Sequence, residues 1–346
     1  NKLKGNGAAP VQLQAIDRKA VFTHPDITVT RMFFSELEGS YDLNDDILLS
    51  GNTYFRQNRI RTFNGDDSDF DGCGFDDSLL CNEEGVLAED INGNTIAANG
   101  NVEGATNNTS VTQMRSRGGT IQAAFNQDLF GHQNNLIVGA NYDYAKVHFS
   151  SDSELARLTD DRGTINSGIL VKDARVRLNT TTETWALFLT DSFSITDKLT
   201  ATFSGRFNHV DIAMANQFND GEDKLSGEHT FDRFNPAGGL TYQILDNLNV
   251  YGSYSESSRV PTPMELSCAD PDDPCRLPNA FLSDPPLKQV VARTFEGGFR
   301  GDLNNLMGKG DLKWNLGYFH TVNDDDIIFN RGGDSVSEGF FSNVGQ

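Results

Sequence analysis

The sequence predicts an all-β chain: an antiparallel up-and-down barrel, present in part. Three observations carry this. Side chains alternate with a period of two along about eleven segments, which places one set on each face of a sheet. The connections between segments are short and long by turns, as in a meander whose two rims differ. No stretch recurs at a fixed spacing, which argues against a propeller or a β-helix.

Residues 1 to 26 show no sustained alternation, and Gly5, Asn6 and Gly7 mark a polar loop. Leu37, Gly39, Tyr41 and Leu43 then alternate with Glu38, Ser40 and Asp42, and a short turn leads to Leu49, Gly51, Thr53 and Phe55. After a long polar segment, 64 to 108, Ile121, Ala123 and Phe125 turn back as Leu136, Val138, Ala140, Tyr142 and Tyr144. Residues 151 to 174 form a second long insert, in which Glu154, Leu155, Ala156 and Leu158 favour a helical turn. Trp185, Leu187, Leu189 and Phe193 pair through a short turn with Leu199, Ala201, Phe203, Gly205 and Phe207. Beyond the loop 217 to 229, Gly238, Leu240 and Tyr242 turn into Leu248, Val250, Gly252 and Tyr254. The long insert 259 to 288 follows, then Phe295, Gly297 and Phe299, then Leu312, Trp314, Leu316 and Tyr318. A loop at 330 to 338 and a last strand, 339 to 346, close the series.

Composition narrows the class. Only 37% of the 346 residues are hydrophobic, and the mean hydropathy is −0.45. A soluble β protein has such numbers, and so does a membrane barrel, because half of each of its strands faces a wet lumen. No apolar run approaches the roughly 18 residues of a membrane helix. Segments longer than the usual ~5 or 6 residues favour the membrane. So do long loops confined to one rim, and Tyr41, Tyr142, Trp185, Phe193, Tyr242 and Trp314 near strand ends, where an interfacial girdle needs them. The net charge of −21 argues against nucleic acid as a partner, since phosphate binding requires a basic surface.

The four cysteines fall as two local pairs, Cys73 with Cys81 and Cys268 with Cys275. Such spacing fits two small disulfide loops in an oxidising compartment, with four reduced surface thiols as the alternative. No CxxC or histidine partner supports a zinc site. The second pair lies in an insert that Pro261, Pro263, Pro271, Pro274, Pro278, Pro285 and Pro286 bar from any ladder.

That insert also carries a family resemblance. Arg259, Pro261, Pro263, Glu265, Cys268, Ala269, Asp270, Pro271, Cys275, Leu277, Pro278, Asn279, Phe281, Asp284, Pro285, Leu287 and Val290 resemble the late-barrel signature of TonB-dependent outer-membrane receptors. FNPAGGLTYQ at 234 to 243, LTDSFSITDKLTATFSGRF at 189 to 207 and TVNDDDIIF at 321 to 329 agree with it. The resemblance implies a Gram-negative outer-membrane barrel of about 22 strands, filled by an N-terminal plug that contacts the TonB complex. Residues 1 to 346 would then be part of the barrel domain, without the plug and without the C-terminal strands. It further implies uptake of a scarce bulky nutrient, most commonly a ferric siderophore, by a protein that is not an enzyme. The alternatives are a passive porin-type channel and a soluble β-rich carbohydrate-binding module.

Within this frame Arg259, Glu265 and Phe281 are the expected ligand contacts at the loop mouth. Arg56, Arg206, Glu296 and Arg300, with Asn141, Asp143 and Asn208, have the lumen phase and could guide a polar solute or merely wet the interior. Asp67, Asp69, Asp71 and Gly72 reproduce the opening of a calcium loop, but Ser78 stands where a bidentate Glu belongs. Calcium in the loop 67 to 78 is therefore weighed against a solvated acidic loop, and no other cofactor is expected. Outer-membrane lipid and a small-molecule chelate complete the expected partners. No HExxH, GxSxG, P-loop or CxxC occurs, so catalysis has no motif behind it.

Overall fold

The computed structural model describes residues 2–4, 9–68, 70–82, 85–218, 225–271, 275–276, 287–303, 310–331 and 338–345. In chain order the elements are β1 (Lys2–Lys4), α1 (Val11–Ile16), β2 (Asp26–Asn44), β3 (Ile47–Asp66), β4 (Phe70–Cys73), β5 (Asp76–Asn82), β6 (Gly104–Asn126), β7 (Asn134–Leu158) and β8 (Thr164–Leu170). There follow β9 (Val176–Thr196), β10 (Leu199–Asn216), β11 (Gly227–Leu245), β12 (Leu248–Arg259), α2 (Pro263–Leu266), β13 (Cys275–Arg276), β14 (Val290–Leu303), β15 (Leu312–Asp324), β16 (Asp326–Arg331) and β17 (Glu338–Val344).

One antiparallel sheet dominates, in the order β1-β2-β3-β6-β7-β9-β10-β11-β12-β14-β15, with β8 pairing β7 at its side. Neighbours in space are neighbours in sequence once the small rim strands are set aside, so the topology is an up-and-down meander. Short turns share one rim. At two of them a side chain satisfies the turn: Asn44 accepts from Asp46 N–H at 2.9 Å, and Thr196 accepts from Leu199 N–H at 3.0 Å. The ends of the long connections, Asp66 with Gly104, Asn216 with Gly227 and Arg259 with Val290, share the other rim.

The register assigns every strand residue to a face. One face carries Leu37, Ile121, Tyr142, Trp185, Leu187, Phe203, Leu240, Phe295, Leu316 and Tyr318, and none of the described residues covers it: Leu316 is 67% and Tyr318 75% exposed. In water such a sheet would need a second layer, because an apolar surface this large does not stay open in a soluble protein. The other face is polar over the same span, which is the inverse of a soluble sandwich and the arrangement of a barrel wall in lipid.

The structure departs from the sequence expectations at several places. Residues 151 to 158 are strand rather than helical turn: they extend β7, pairing with Gly104 to Ser110 of β6, and Leu155 and Ala156 are fully buried. Helix propensity yields there to a ladder that satisfies every backbone group and buries those side chains. β2 begins at Asp26, well before the alternation that starts at Leu37, and α1 lies in the stretch expected to be irregular. The segment expected as a last barrel strand, 339 to 346, is not in the main sheet. Its described part, β17, pairs with β16 and β13, because Asp325 with φ 51° breaks the direction of the chain after β15.

Two small cores stand on the long-loop rim. In one, Leu80, Ala88, Ile96 and Val102 from the 66–104 connection pack on Leu155 and Val171. In the other, Leu266, Cys268, Ala269, Cys275 and Leu287 pack on Val176, Leu178, Val210, Ile212 and Met214.

Candidate ligand mouth and polar wall

β10 shows how the second core arises. Its inner-phase residues read Thr202, Ser204, Arg206 and Asn208, then Val210, Ile212 and Met214. Polarity inverts halfway along the strand. The upper inner wall is thus prepared for a cover, and the connection from β12 to β14 supplies one. Arg259 opens it with a bidentate pair to Glu265, at 2.7 and 3.1 Å. Thr262 and Glu265 form a capping box around α2: Thr262 N–H donates to Glu265 at 2.7 Å, and Glu265 N–H donates to the Thr262 hydroxyl at 3.2 Å. Pro263 occupies the first turn of α2, where its missing N–H is not needed.

Burial alone would raise the Glu265 pKa, but the Arg259 guanidinium and the Thr262 donors outweigh it and hold the carboxyl below its ordinary value. Disulfides join Cys268 to Cys275 and Cys73 to Cys81, and all four sulfur residues are buried. The far side of the cover is tied to the β16–β17 hairpin. Phe341 N–H donates to Cys268 O at 2.6 Å, and Lys288 N–H donates to the Asn343 side chain at 2.8 Å. The connection therefore reaches from the inner wall of β9 to β11 across to the hairpin beyond β15.

Below the cover the polar wall is laced by side chains that reach over glycines. Tyr54 OH donates to Asp143 at 2.6 Å across Gly118 of the intervening strand. Tyr251 OH donates to Glu296 at 2.9 Å, beside Gly298 and Gly317, with the Arg300 guanidinium 4.5 Å from the Tyr251 ring centre. Arg206 donates to Asn208 at 2.7 Å, and Arg56 donates to Ser116 at 3.2 Å. A depression of about 630 Å³ on the main sheet is bordered by Ser204, Ala237, Gly239, Tyr251, Glu296 and Arg300. Small side chains flanked by tethered ions can admit a hydrated solute or another protein segment.

The TonB-dependent receptor-like β-barrel family model matches residues 6–346. The chain belongs to that family. Its fold is shared with the ferric yersiniabactin uptake receptor of Yersinia pestis (TM-score 0.58, 13% identity, covering 89% of this chain and 38% of that one). It is also shared with the ferric-catecholate import receptor of E. coli K12 (0.61, 14%, 94% and 45%) and with the ferric citrate transporter FecA (0.63, 14%, 94% and 39%). The chain spans less than half the length of these receptors. No curated protein gives a significant sequence match.

In this receptor barrel Arg259 and Glu265 meet at the mouth, in contact with each other. Phe281 lies outside the described residues, as do Asp69, Pro274, Pro278, Pro285, Pro286 and most of 330 to 338. Arg56, Arg206, Glu296 and Arg300 all lie on the polar face: Arg56 on β3, Arg206 on β10, and Glu296 and Arg300 together on β14. Asp71 sits on β4, where its carboxylate accepts from Gly72 N–H at 2.8 Å; among the described residues no three ligand groups converge on one ion. Sequence reasoning passed over the apolar upper wall, although the inversion from Asn208 to Val210 was its signal.

Proposed function

We propose that the complete protein is an outer-membrane receptor of a Gram-negative bacterium, energised through TonB, that imports a scarce bulky nutrient, with a ferric siderophore as substrate. The observation that carries this is the cover: a disulfide-stapled segment packed on the inner wall narrows the mouth, which suits capture of a dilute ligand and not free diffusion through a pore. Family membership and the ferric uptake receptors that share the fold support the substrate class. Arg259 and Phe281 are proposed as ligand contacts, charged and apolar respectively, with Glu265 orienting Arg259. Calcium binding in the loop 67 to 78 is a separate proposal, checked by a calcium-dependent rise in the stability of that loop.

The test is direct binding by the complete receptor to a panel of ferric citrate, ferric catecholate and ferric hydroxamate, with cobalamin, copper and a maltooligosaccharide beside them. Micromolar or tighter binding of a ferric chelate is expected. Binding of only a member of the second group overturns the substrate class. Two variants separate contact from brace at the mouth. If Arg259→Ala weakens binding clearly more than Glu265→Gln does, Arg259 touches the ligand and Glu265 orients it; equal losses make the pair a brace.

A further inference from the structure

An asparagine followed by glycine is open to attack on its own side chain, because glycine leaves its backbone nitrogen unshielded. The chain holds four such pairs, beginning at Asn6, Asn64, Asn92 and Asn99. The first lies outside the described residues, and the fold treats the other three differently. Asn64 belongs to the β3 ladder opposite Asn108, and the buried Gly65 gives its N–H to Pro25 O at 2.8 Å. Asn92 is exposed at a turn, but Gly93 N–H donates to Asp90 O at 2.9 Å, so that nitrogen cannot lose its proton without opening the turn. Gly100, after Asn99, is exposed, and its N–H has no hydrogen-bond partner among the described residues.

The Asn99 side chain, by contrast, is held. Its Nδ2 donates to Ala97 O at 3.2 Å, and its Oδ1 accepts from Asn101 N–H at 3.0 Å. This Asx turn folds the side-chain amide back over the Gly100 peptide. Asn101 N–H polarises the amide carbonyl and stands where negative charge grows on Oδ1 during attack at Cγ. A free nucleophile, a bent electrophile and a donor to the oxyanion thus meet in three consecutive exposed residues.

We propose that Asn99 is a self-modifying site, whose side-chain amide is displaced by the Gly100 nitrogen. Hydroxide removes the Gly100 amide proton, the nitrogen bonds to Cγ, and the Cγ–Nδ2 bond breaks to release ammonia, which takes its proton from water. A second water opens the resulting cyclic imide at either carbonyl. The product is aspartate or, with the main chain rerouted through Cβ and Cγ, isoaspartate. Val102 N–H donates to Asn99 O at 3.0 Å, and Val102, 1% exposed, packs in the small core with Leu80 and Leu155. Isoaspartate adds one atom to the backbone and breaks the turn that seats Val102. Either product adds a carboxylate to the 66–104 connection, which has no Lys, Arg or His of its own. Conversion therefore loosens that connection as the receptor ages.

The complete receptor, folded in detergent, is incubated at mildly alkaline pH and sampled for peptide mass mapping and for labelling by an isoaspartyl methyltransferase. Asn99 should convert at least about ten-fold faster than Asn64 and Asn92, and in urea the three rates should converge. In Gly100→Ala the added Cβ meets nothing within 4 Å, so the fold is kept, and conversion of Asn99 should slow several-fold. The converted receptor, separated by its extra negative charge, should be clipped faster within 66–104 than the parent. Conversion of Asn64 or Asn92 as fast as that of Asn99, or an undiminished rate in Gly100→Ala, overturns the site. Equal clipping of the two forms overturns the loosening.

Discussion

At the scale of single residues, the polar wall depends on places where a side chain is absent. A Cβ on Gly118 would lie 2.6 Å from Tyr142 O and 2.9 Å from the Tyr54 ring, in the path of the Tyr54 to Asp143 hydrogen bond. Tyr142 O cannot retreat without disturbing the ladder, nor the Tyr54 ring without disturbing its hydrogen bond to Asp143. Gly118→Ala is expected to lower unfolding stability by about 1–3 kcal/mol in a urea titration of the refolded receptor. A glycine inside a strand is compatible with a bulge, a bend or a close approach, so the sequence alone does not single out Gly118. It could not say what approaches, because Tyr54 and Asp143 come from strands on either side. Glu265 is the second such residue. Its pKa is held below the ordinary 4.5, so its contribution to the cover is full above that pH and is lost as the pH falls through the depressed value. Protease sensitivity of the 260–287 segment should therefore rise only below about pH 4.5, and Glu265→Gln should abolish that pH dependence.

Among the elements, the cover and β7 teach opposite lessons about what a sequence discloses. The prolines and cysteines of the 259–288 insert identify it as an excursion, and the structure makes it one. Its destination was legible only in the strand beneath it, where Val210, Ile212 and Met214 replace the polar inner phase. In β7 the stretch from Ser151 to Leu158 has local helix propensity, which yields to the strand partners available on β6. Since Cys268 and Cys275 are fully buried in the cover, replacing both with Ser should destabilise that segment by about 2 kcal/mol, less than a long-loop disulfide contributes. The expected result is faster proteolytic clipping within 260–287, with unchanged heat-modifiable mobility of the barrel. Unchanged clipping would show that the apolar core holds the cover without the bridge.

For the whole molecule, the edges of the main sheet matter most. Below Thr30, β2 has no ladder partner on its outer side among the described residues, and neither has β15. In hydrocarbon each unpaired backbone group costs several kcal/mol, so in a membrane these edges must be joined to further strands. The isolated 1–346 segment is accordingly expected to give no heat-modifiable monomer when refolded in detergent, whereas the complete receptor should. A monomeric, heat-modifiable product from the segment alone would mean that it closes on itself. The sequence announced such a wall through its period of two, but it could not show where the wall closes.

One join in the wall differs from the rest. The ladder between β11 and β12 ends at Ala237 opposite Ser255, next to Pro236, which has no N–H to give. Above that point Arg233 to Glu256, at 2.6 Å, and Asn235 to Ser258, at 3.1 Å, take over from the backbone. Backbone ladders share strain along their length, while a few side-chain links yield one at a time. Under a pull directed along the barrel axis, such as an energised receptor would feel, this join is the compliant one. The mouth would then widen by parting β11 from β12 beside the root of the cover, leaving the stiffer wall from β3 to β10 undeformed.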